Sequence, residues 1–179
     1  TISMYKEIGT YEVHQALNLG AYLLLRPSEL TGLLWEEIDF KNKIIRITKD
    51  RMKSSEPHLV PMSTQVLAQF EEMKEYRLSE KFVFPSSINR NASINSESLR
   101  MALRRLGIPK EKFTPHGFRS MGTTRLYEMG YKEDVVERTL AHSERNKVKA
   151  AYNYAQHIEE RTEMMQAWSD YLDNLKKPS

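Results

Sequence analysis

Four short segments carry side chains that bind anions, transfer protons or act as nucleophiles. They are Arg26-Pro27-Ser28-Glu29-Leu30, His116-Gly117-Phe118-Arg119, Leu140-Ala141-His142-Ser143 and Ala151-Tyr152-Asn153-Tyr154-Ala155. Each segment has an ordinary structural explanation when it is taken alone. In order, these are a surface ion pair, a polar helix start, a histidine that caps a helix end, and tyrosines packed at amphipathic positions. The four segments therefore indicate a function only in combination.

Helices are predicted to position most of these side chains. Apolar spacing and helix-start signals predict helices over about residues 12–25, 27–35, from 63 onward, 99–106, 117–129, 132–141, 147–154 and 158–175. Gly107 is expected to end the fourth of these helices. The last helix carries a broad apolar stripe, which we expect to pack in the core. Packing onto a neighbouring molecule is the alternative for this stripe, which consists of Met164, Met165, Trp168, Tyr171 and Leu172.

A small antiparallel sheet is predicted beside these helices. Two β-rich segments, over residues 43–48 and 58–61, are joined by a loop that contains Arg51, Met52 and Lys53. Phe82-Val83-Phe84 is predicted to be a further short strand. The loops at 54–57, 85–93 and 107–115 are too short to separate domains. The predicted fold class is mainly α with a small antiparallel β-sheet (α+β), in one domain over residues 1–179.

The composition excludes several classes of protein. The 179 residues contain no cysteine, which excludes a disulfide framework, a cysteine nucleophile and a thiolate metal site. The longest apolar run, Ala21 to Leu25, is too short to span a bilayer, and no signal peptide is visible. We therefore expect a cytoplasmic protein with no membrane partner. Because the first residue is Thr1 rather than Met, we expect a piece of a longer chain.

Basic residues are concentrated in the middle of the chain. The net charge of +3 is weak evidence for a nucleic-acid partner. Between Leu99 and Arg119, however, Glu111 is the sole acidic residue among several basic ones. The predicted helix over 99–106 would have a basic outer face, which indicates either an ordinary solvated surface or a DNA contact. The candidate DNA-binding residues are Arg100, Arg104, Arg105 and Lys112.

Taken in order along the chain, these features resemble the catalytic domain of the tyrosine recombinases. The resemblance covers nearly the whole chain. Two segments are similar to the integrases of temperate phages and genomic islands. One is Met52-Lys53 followed by His58-Leu59-Val60-Pro61-Met62-Ser63. The other is Ala151-Tyr152-Asn153 followed by Met164-Met165-Gln166-Ala167-Trp168-Ser169-Asp170-Tyr171-Leu172.

The resemblance implies a role for each site residue. Arg26 and Arg119 match the two arginines that bind the scissile phosphate, and Glu29 matches the acidic residue that follows the first. His142 matches a further phosphate donor, and His116 a residue that helps to remove the tyrosine proton. The remaining matches are the hairpin lysine, Lys53, which acts as general acid, and the nucleophile, Tyr152. Tyr154 is the alternative nucleophile. From sequence alone, we expect alanine at either arginine to abolish cleavage and leave the fold intact.

The implied reaction needs no cofactor. The tyrosine attacks a DNA phosphodiester, forms a 3′-phosphotyrosine and releases a 5′-hydroxyl, and another 5′-hydroxyl later reverses the step. The arginines replace the metal ions that many nucleases use, and neither an HExxH motif nor a carboxylate cluster indicates a metal.

The resemblance also implies partners. They are double-stranded DNA attachment sites, further integrase protomers in a tetramer on two duplexes, and DNA-bending or directionality proteins. It implies a bacterial, nucleoid-associated enzyme with core-binding and arm-binding domains ahead of the catalytic domain. Three alternatives stay open: a type IB topoisomerase, a non-catalytic DNA-binding module with the same fold, and an unrelated helical protein with a basic face.

Overall fold

A computed structural model describes residues 9–51, 57–141 and 157–177. These residues form helices and a small sheet. In chain order the helices are α1 (Tyr11–Leu23), α2 (Pro27–Thr31), α3 (Thr64–Glu75), α4 (Ser96–Arg105), α5 (Gly117–Glu128), α6 (Glu133–Thr139) and α7 (Ile158–Lys176). The strands are β1 (Ile38–Asp39), β2 (Ile44–Ile47) and β3 (His58–Pro61), and short 3-10 helices cover Trp35–Glu37 and Lys49–Arg51.

Polar side chains define where three of the helices begin. The hydroxyl of Thr10 accepts from the backbone N–H of Val13, three residues into α1. Ser63 and Asn95 accept in the same way at the starts of α3 and α4. Each cap satisfies a backbone donor that the helix itself leaves unpaired. At the other end of α4, Gly107 adopts a φ of 75°, which confirms the predicted stop.

The sheet is antiparallel throughout, with the strand order β1-β2-β3. Arg46 lies opposite Leu59, and Ile47 lies opposite His58. Ile45, Ile47 and Val60 are fully buried, so one face of the sheet packs into the core. The predicted hairpin strands are confirmed. The loop between them contains residues 52–56, which include Lys53 and lie outside the described part of the chain.

Two predictions are wrong, the end of the second helix and the strand over residues 82–84, and the pairing of these two segments explains both. The second helix ends at Thr31 rather than near Trp35, because the chain leaves it at Gly32 and becomes extended. Trp35 then donates its backbone N–H to the carbonyl of Lys81, and Val83 donates to the carbonyl of Leu33. Phe82 consequently forms an isolated bridge with Leu34, and residues 82–84 are not a strand of the sheet. Local spacing does not reveal a pairing between segments so far apart. The helix predicted over 147–154 lies outside the described residues.

The core consists of two apolar clusters that meet at the end of α1. The larger one surrounds α1, the sheet, α3 and α4, and includes Leu23 and Leu25. The smaller one contains Leu24 together with residues of α5, α6 and α7. Within α7, Met164, Met165 and Trp168 are buried in this smaller cluster, as expected of a core stripe. No described helix is both long and apolar enough to cross a membrane.

Helices α1 and α5 approach closely because Gly122 has no side chain. A Cβ atom at Gly122 would lie 2.6 Å from Cδ2 of Leu24 and 2.7 Å from its Cδ1. Leu24 is fully buried and has a φ of 55°, which is rare for a branched residue. It therefore has little room to move away.

Gly122→Ala is expected to lower the free energy of unfolding by about 1–3 kcal/mol, because the new methyl group overpacks the site around Leu24. Urea unfolding followed by circular dichroism measures the change. Ser120→Ala, at an exposed position of the same helix, is the matched control and should leave stability nearly unchanged. An equal stability of Gly122→Ala and the unsubstituted chain would show that α1 and α5 are not in close contact.

Candidate active site

The two arginines identified from the sequence meet at the C-terminal end of α6. Arg26 is the residue immediately before α2, and Arg119 lies in the first turn of α5. Arg119 donates from Nη2 to the carbonyl of Leu140 at 2.7 Å, and Arg26 donates from Nη2 to the carbonyl of Ala141 at 3.4 Å. The two guanidinium groups therefore bind adjacent carbonyls. The next residue along the chain is His142.

Glu29 holds Arg26 in place at the start of α2. Its carboxylate accepts from Nη1 of Arg26 at 2.7 Å and from the backbone N–H of the same residue at 3.1 Å. Glu29 is 4% exposed in this ion pair, whereas the side chain of Arg26 is 25% exposed. A buried carboxylate with two donors orients its partner firmly. In this geometry Glu29 orients the guanidinium of Arg26.

Arg119 is almost completely buried, at 3% exposure. Besides its bond to Leu140, it donates from Nη1 to the carbonyl of Leu24 at 2.6 Å. It thus joins the ends of α1 and α6. Replacing Arg119 by alanine would leave two carbonyls without these donors, at a cost of about 1–3 kcal/mol each. The expectation that this substitution would leave the fold intact is therefore revised.

The site carries a concentrated positive charge. Burial and, to a smaller extent, the neighbouring positive charge of Arg26 together lower the pKa of Arg119 to about 10. Glu29 and Glu137 act in the opposite direction. Arg119 still carries its charge at neutral pH. Two cations held close together, one of them buried, attract an anion strongly because little water screens them.

His116 lies at the edge of this site. It is exposed and directly precedes α5, so the His-x-x-Arg segment places one side chain in solvent and the other in the interior. His116 lines an open cavity of about 230 Å³ with Pro27, the residue after Arg26, and with Arg100.

The candidate DNA-binding residues differ in their surroundings. Arg100 is exposed, forms an ion pair with Glu97 and lines the cavity beside His116. Arg105 and Lys112 are also exposed. Arg104 is half-buried and donates to the carbonyls of Ile108 and Phe113, at 2.9 Å in the second case, so it holds the loop that follows α4.

Four residues implied by the resemblance lie outside the described ranges. They are Lys53, His142, Tyr152 and Tyr154. Two of them are close in sequence to residues that the structure describes. Lys53 is two residues from Arg51, and His142 follows Ala141. Within the described ranges, no group of three histidine or carboxylate side chains is arranged to hold a metal ion.

Three side chains that join the site to the sheet were not identified from the sequence. His58 donates from Nε2 to the carbonyl of Thr139 at 3.1 Å. Arg161 donates from Nε to Oγ1 of Thr139 at 3.0 Å and from Nη2 to the carbonyl of Leu59. Both residues are buried.

The third missed side chain lies in the 3-10 helix that follows β2. Arg51 forms an ion pair with the buried Glu37 and donates to the carbonyl of Glu29 at 3.2 Å. Gly32 makes this approach possible, because a Cβ atom there would lie 2.8 Å from Nη2 of Arg51. Of these three residues, Arg161 could have been identified from the sequence. Arg161 shares the apolar face of Met164, Met165 and Trp168, where a cation needs partners.

Burial keeps His58 uncharged. Burial lowers the pKa of His58 to about 3, and the positive charge of Arg161 acts in the same direction, as do Arg119 and Arg26. The bond to the Thr139 carbonyl opposes this shift. A carbonyl only accepts, so Nε2 carries the proton and Nδ1 does not.

This shift predicts how stability depends on pH. The folded pKa of His58 lies below the unfolded value of 6.5, so the unfolded chain binds the extra proton as pH falls below 6.5. The free energy of unfolding should therefore decrease by about 1 kcal/mol per pH unit between about pH 6 and pH 4.5. His58→Gln should flatten this slope in urea titrations, whereas Val66→Ala, at a buried side chain that does not titrate, should lower the stability and keep the slope. Parallel slopes for all three proteins would contradict the neutral, buried state of His58.

Known proteins resemble this chain over most of its length. The sequence profile of the phage integrase family matches residues 6–159. Prophage integrase IntA of Escherichia coli strain K12 is 40% identical over 149 residues, which are 83% of this chain and 36% of IntA. The integrase of Enterobacteria phage P4 is 35% identical over 173 residues, covering 88% of this chain and 39% of that protein. The chain thus spans less than half the length of these relatives.

Solved structures share the fold. The integrase of mycobacterium phage Brujita superposes with a TM-score of 0.66 at 18% identity, over 88% of this chain and 52% of that one. The Tn1549 transposon integrase, in complex with circular intermediate DNA, gives a TM-score of 0.59 at 20% identity, over 90% of this chain and 60% of that one. The expected fold, mainly helical with a small antiparallel sheet, is confirmed. The profile match over most of the chain and the identity to these relatives show that the chain belongs to the phage integrase family of tyrosine recombinases.

Proposed function

We propose that this chain is the catalytic domain of a site-specific DNA recombinase that integrates and excises mobile DNA through a 3′-phosphotyrosine intermediate. The observation that carries the proposal is the convergence of Arg26 and Arg119 on the end of α6, one residue before His142. The chain's membership of the phage integrase family supports the same reaction.

The arginine pair would bind the scissile phosphate. During attack the phosphorus becomes five-coordinate and negative charge increases on its non-bridging oxygens. Arg119 brings a permanent, largely buried charge, and Arg26 brings a partly exposed one beside it. Guanidinium groups can contact two oxygens at once and stay ionised at any working pH. Because both are already oriented by fixed carbonyls and Glu29, little reorganisation is needed when charge develops.

The remaining steps are assigned to residues at the edge of the arginine pair or outside the described ranges. Tyr152 attacks the phosphorus, and His116, exposed beside the cavity at Pro27, helps to remove its proton. Lys53 protonates the leaving 5′-oxygen, and His142 adds a donor to the phosphate. The P–O5′ bond breaks as the Tyr152 O–P bond forms, so bond energy is kept and no external energy source is needed.

DNA is the proposed partner. Arg100 offers exposed positive charge beside the cavity, Arg105 and Lys112 are also exposed, and Arg104 contributes through the loop that it holds. We propose that the domain acts within a longer protein that also has core-binding and arm-binding domains, and that four protomers assemble on two duplex attachment sites. Accessory proteins that bend DNA would then set the direction of recombination. Binding by this domain should weaken strongly with salt, because phosphate contacts dominate it.

The nucleophile can be trapped with a nicked duplex that carries the attachment core, from which the cleaved end diffuses away. The natural full-length protein should give a covalent protein–DNA band on a denaturing gel. Tyr152→Phe should abolish the band, because it lacks the attacking oxygen, and Tyr154→Phe should retain it. Loss of the band with Tyr154→Phe alone would move the nucleophile by two residues. Absence of the band for the unsubstituted protein would contradict the proposed function.

The arginine pair can be tested without removing charge. Arg26→Lys and Arg119→Lys keep a cation but lose the planar fork, so each should slow cleavage by about 100- to 1,000-fold. Single-turnover rates with the same nicked duplex measure the effect, and thermal unfolding monitors the fold. Arg46→Lys is the control, since Arg46 is exposed on β2 and pairs with Asp39. Cleavage at the normal rate by either active-site variant would remove that arginine from the phosphate site.

A further inference from the structure

Three successive carbonyls at the end of α6 accept from three side chains that come from different parts of the chain. Thr139 accepts from Nε2 of His58 at 3.1 Å, Leu140 from Nη2 of Arg119 at 2.7 Å, and Ala141 from Nη2 of Arg26 at 3.4 Å. The last carbonyls of a helix have no partner within the helix and carry its partial negative charge. Here side-chain donors satisfy them one after another.

The orientation of both arginines therefore depends on where this helix end lies. Each uses Nη2 for a carbonyl of residues 140–141. Their other described bonds, from Nη1 to Glu29 and to the Leu24 carbonyl, fix a second point on each guanidinium. A shift of the helix end would turn both groups together. Helix α6 has seven residues and is followed, two residues after its end, by Ala141 at a φ of 50°, so its own length does little to fix that end.

Contacts from the sheet hold the helix end. His58 is the first residue of β3 and binds the carbonyl of Thr139. Arg161, in the first turn of α7, bridges the hydroxyl of Thr139 and the carbonyl of Leu59, the second residue of β3. The Thr139 hydroxyl in turn donates to the carbonyl of Val135 at 3.0 Å. These buried contacts join β3, α6 and α7 at one point.

We infer that His58 is a positioning residue for the arginine pair, which it orients by holding the end of α6 to β3, with Arg161 bracing the same joint. The inference rests on the proposed function. It assigns a role to a histidine that the proposed reaction does not use.

The charges around His58 explain why a neutral donor occupies this place. Arg161, Arg119 and Arg26 all act on the imidazole. A lysine at this position would add a buried cation among three others. A carboxylate would compete with the phosphate for the arginines and could not donate to the carbonyl. An uncharged imidazole supplies the N–H without either effect.

Two substitutions at His58 separate the hydrogen bond from the volume of the side chain. His58→Leu fills the space without a donor, and His58→Gln keeps a neutral N–H that can reach the Thr139 carbonyl. The variants are made in the natural full-length protein, and cleavage of the nicked attachment-core duplex is measured in single turnover. His58→Leu should slow cleavage by about 10- to 100-fold, because small displacements of catalytic groups are costly. His58→Gln should stay close to the unsubstituted rate.

A second substrate identifies which part of the site His58 serves. In it, sulfur replaces the bridging 5′-oxygen of the scissile phosphate. The P–S bond then breaks with its electron pair leaving on sulfur, and the thiolate needs no proton from a general acid. Lys53→Ala should be slow on the oxygen substrate and recover on the sulfur substrate. His58→Leu should be slowed by the same factor on both, because the arginine pair still has to stabilise the phosphoryl oxygens.

A control variant distinguishes a general loss of stability from a loss of arginine orientation. Val66→Ala shortens a buried side chain of α3 in the larger core cluster, which does not contain α6, and should lower the melting temperature without slowing cleavage. If His58→Leu does not fold, Arg161→Lys, which keeps the charge but loses the fork to Thr139 and Leu59, should show the same pattern with both substrates.

The inference is wrong if His58→Leu cleaves at the unsubstituted rate, if sulfur restores its activity, or if Val66→Ala is slowed equally. Cleavage by the unsubstituted protein together with any of these results would overturn the inference alone. Failure of the unsubstituted protein to form the covalent complex would instead overturn the proposed function.

Discussion

The bonds from the buried guanidinium of Arg119 to the carbonyls of Leu24 and Leu140 are the contacts on which the site depends. Burying a permanent cation costs free energy unless it finds partners, and here the partners are the ends of α1 and α6. Helix-end carbonyls carry partial charges only. They stabilise the guanidinium without neutralising it, which leaves the positive charge effective toward an anion.

The packing around α1 serves this arrangement. Leu24 turns the chain out of α1 with a left-handed backbone conformation, its side chain enters the smaller core cluster, and its carbonyl faces Arg119. Gly122 allows α5 to come close enough for that bond to form. The site thus lies where the two core clusters meet, so the stability of each cluster contributes to the geometry of the arginines. Arg26 adds the exposed part of the pair and is held by Glu29.

Sequence patterns predicted the parts of this structure that local order determines. Apolar spacing and caps predicted α1, α3, α4, α5, α6 and α7, and β-rich segments predicted the hairpin strands. The end of α2 was missed because pairing of Leu33 and Trp35 with residues 81–83 overrides the local pattern. The resemblance to tyrosine recombinases identified Arg26, Glu29 and Arg119. It did not reveal what holds them, because the helix-end carbonyls and the side chains of His58 and Arg161 are brought together from four separated segments.

The use of main-chain carbonyls has a consequence for mutational tolerance. Carbonyl oxygens at positions 24, 140 and 141 are present whatever side chain follows them, so substitution at these positions does not delete a ligand of either arginine. What selection has to preserve there is the path of the backbone. The side chains are then free to vary within the volume that the core allows, and an arginine pair of the same geometry can persist in sequences that have diverged widely around it.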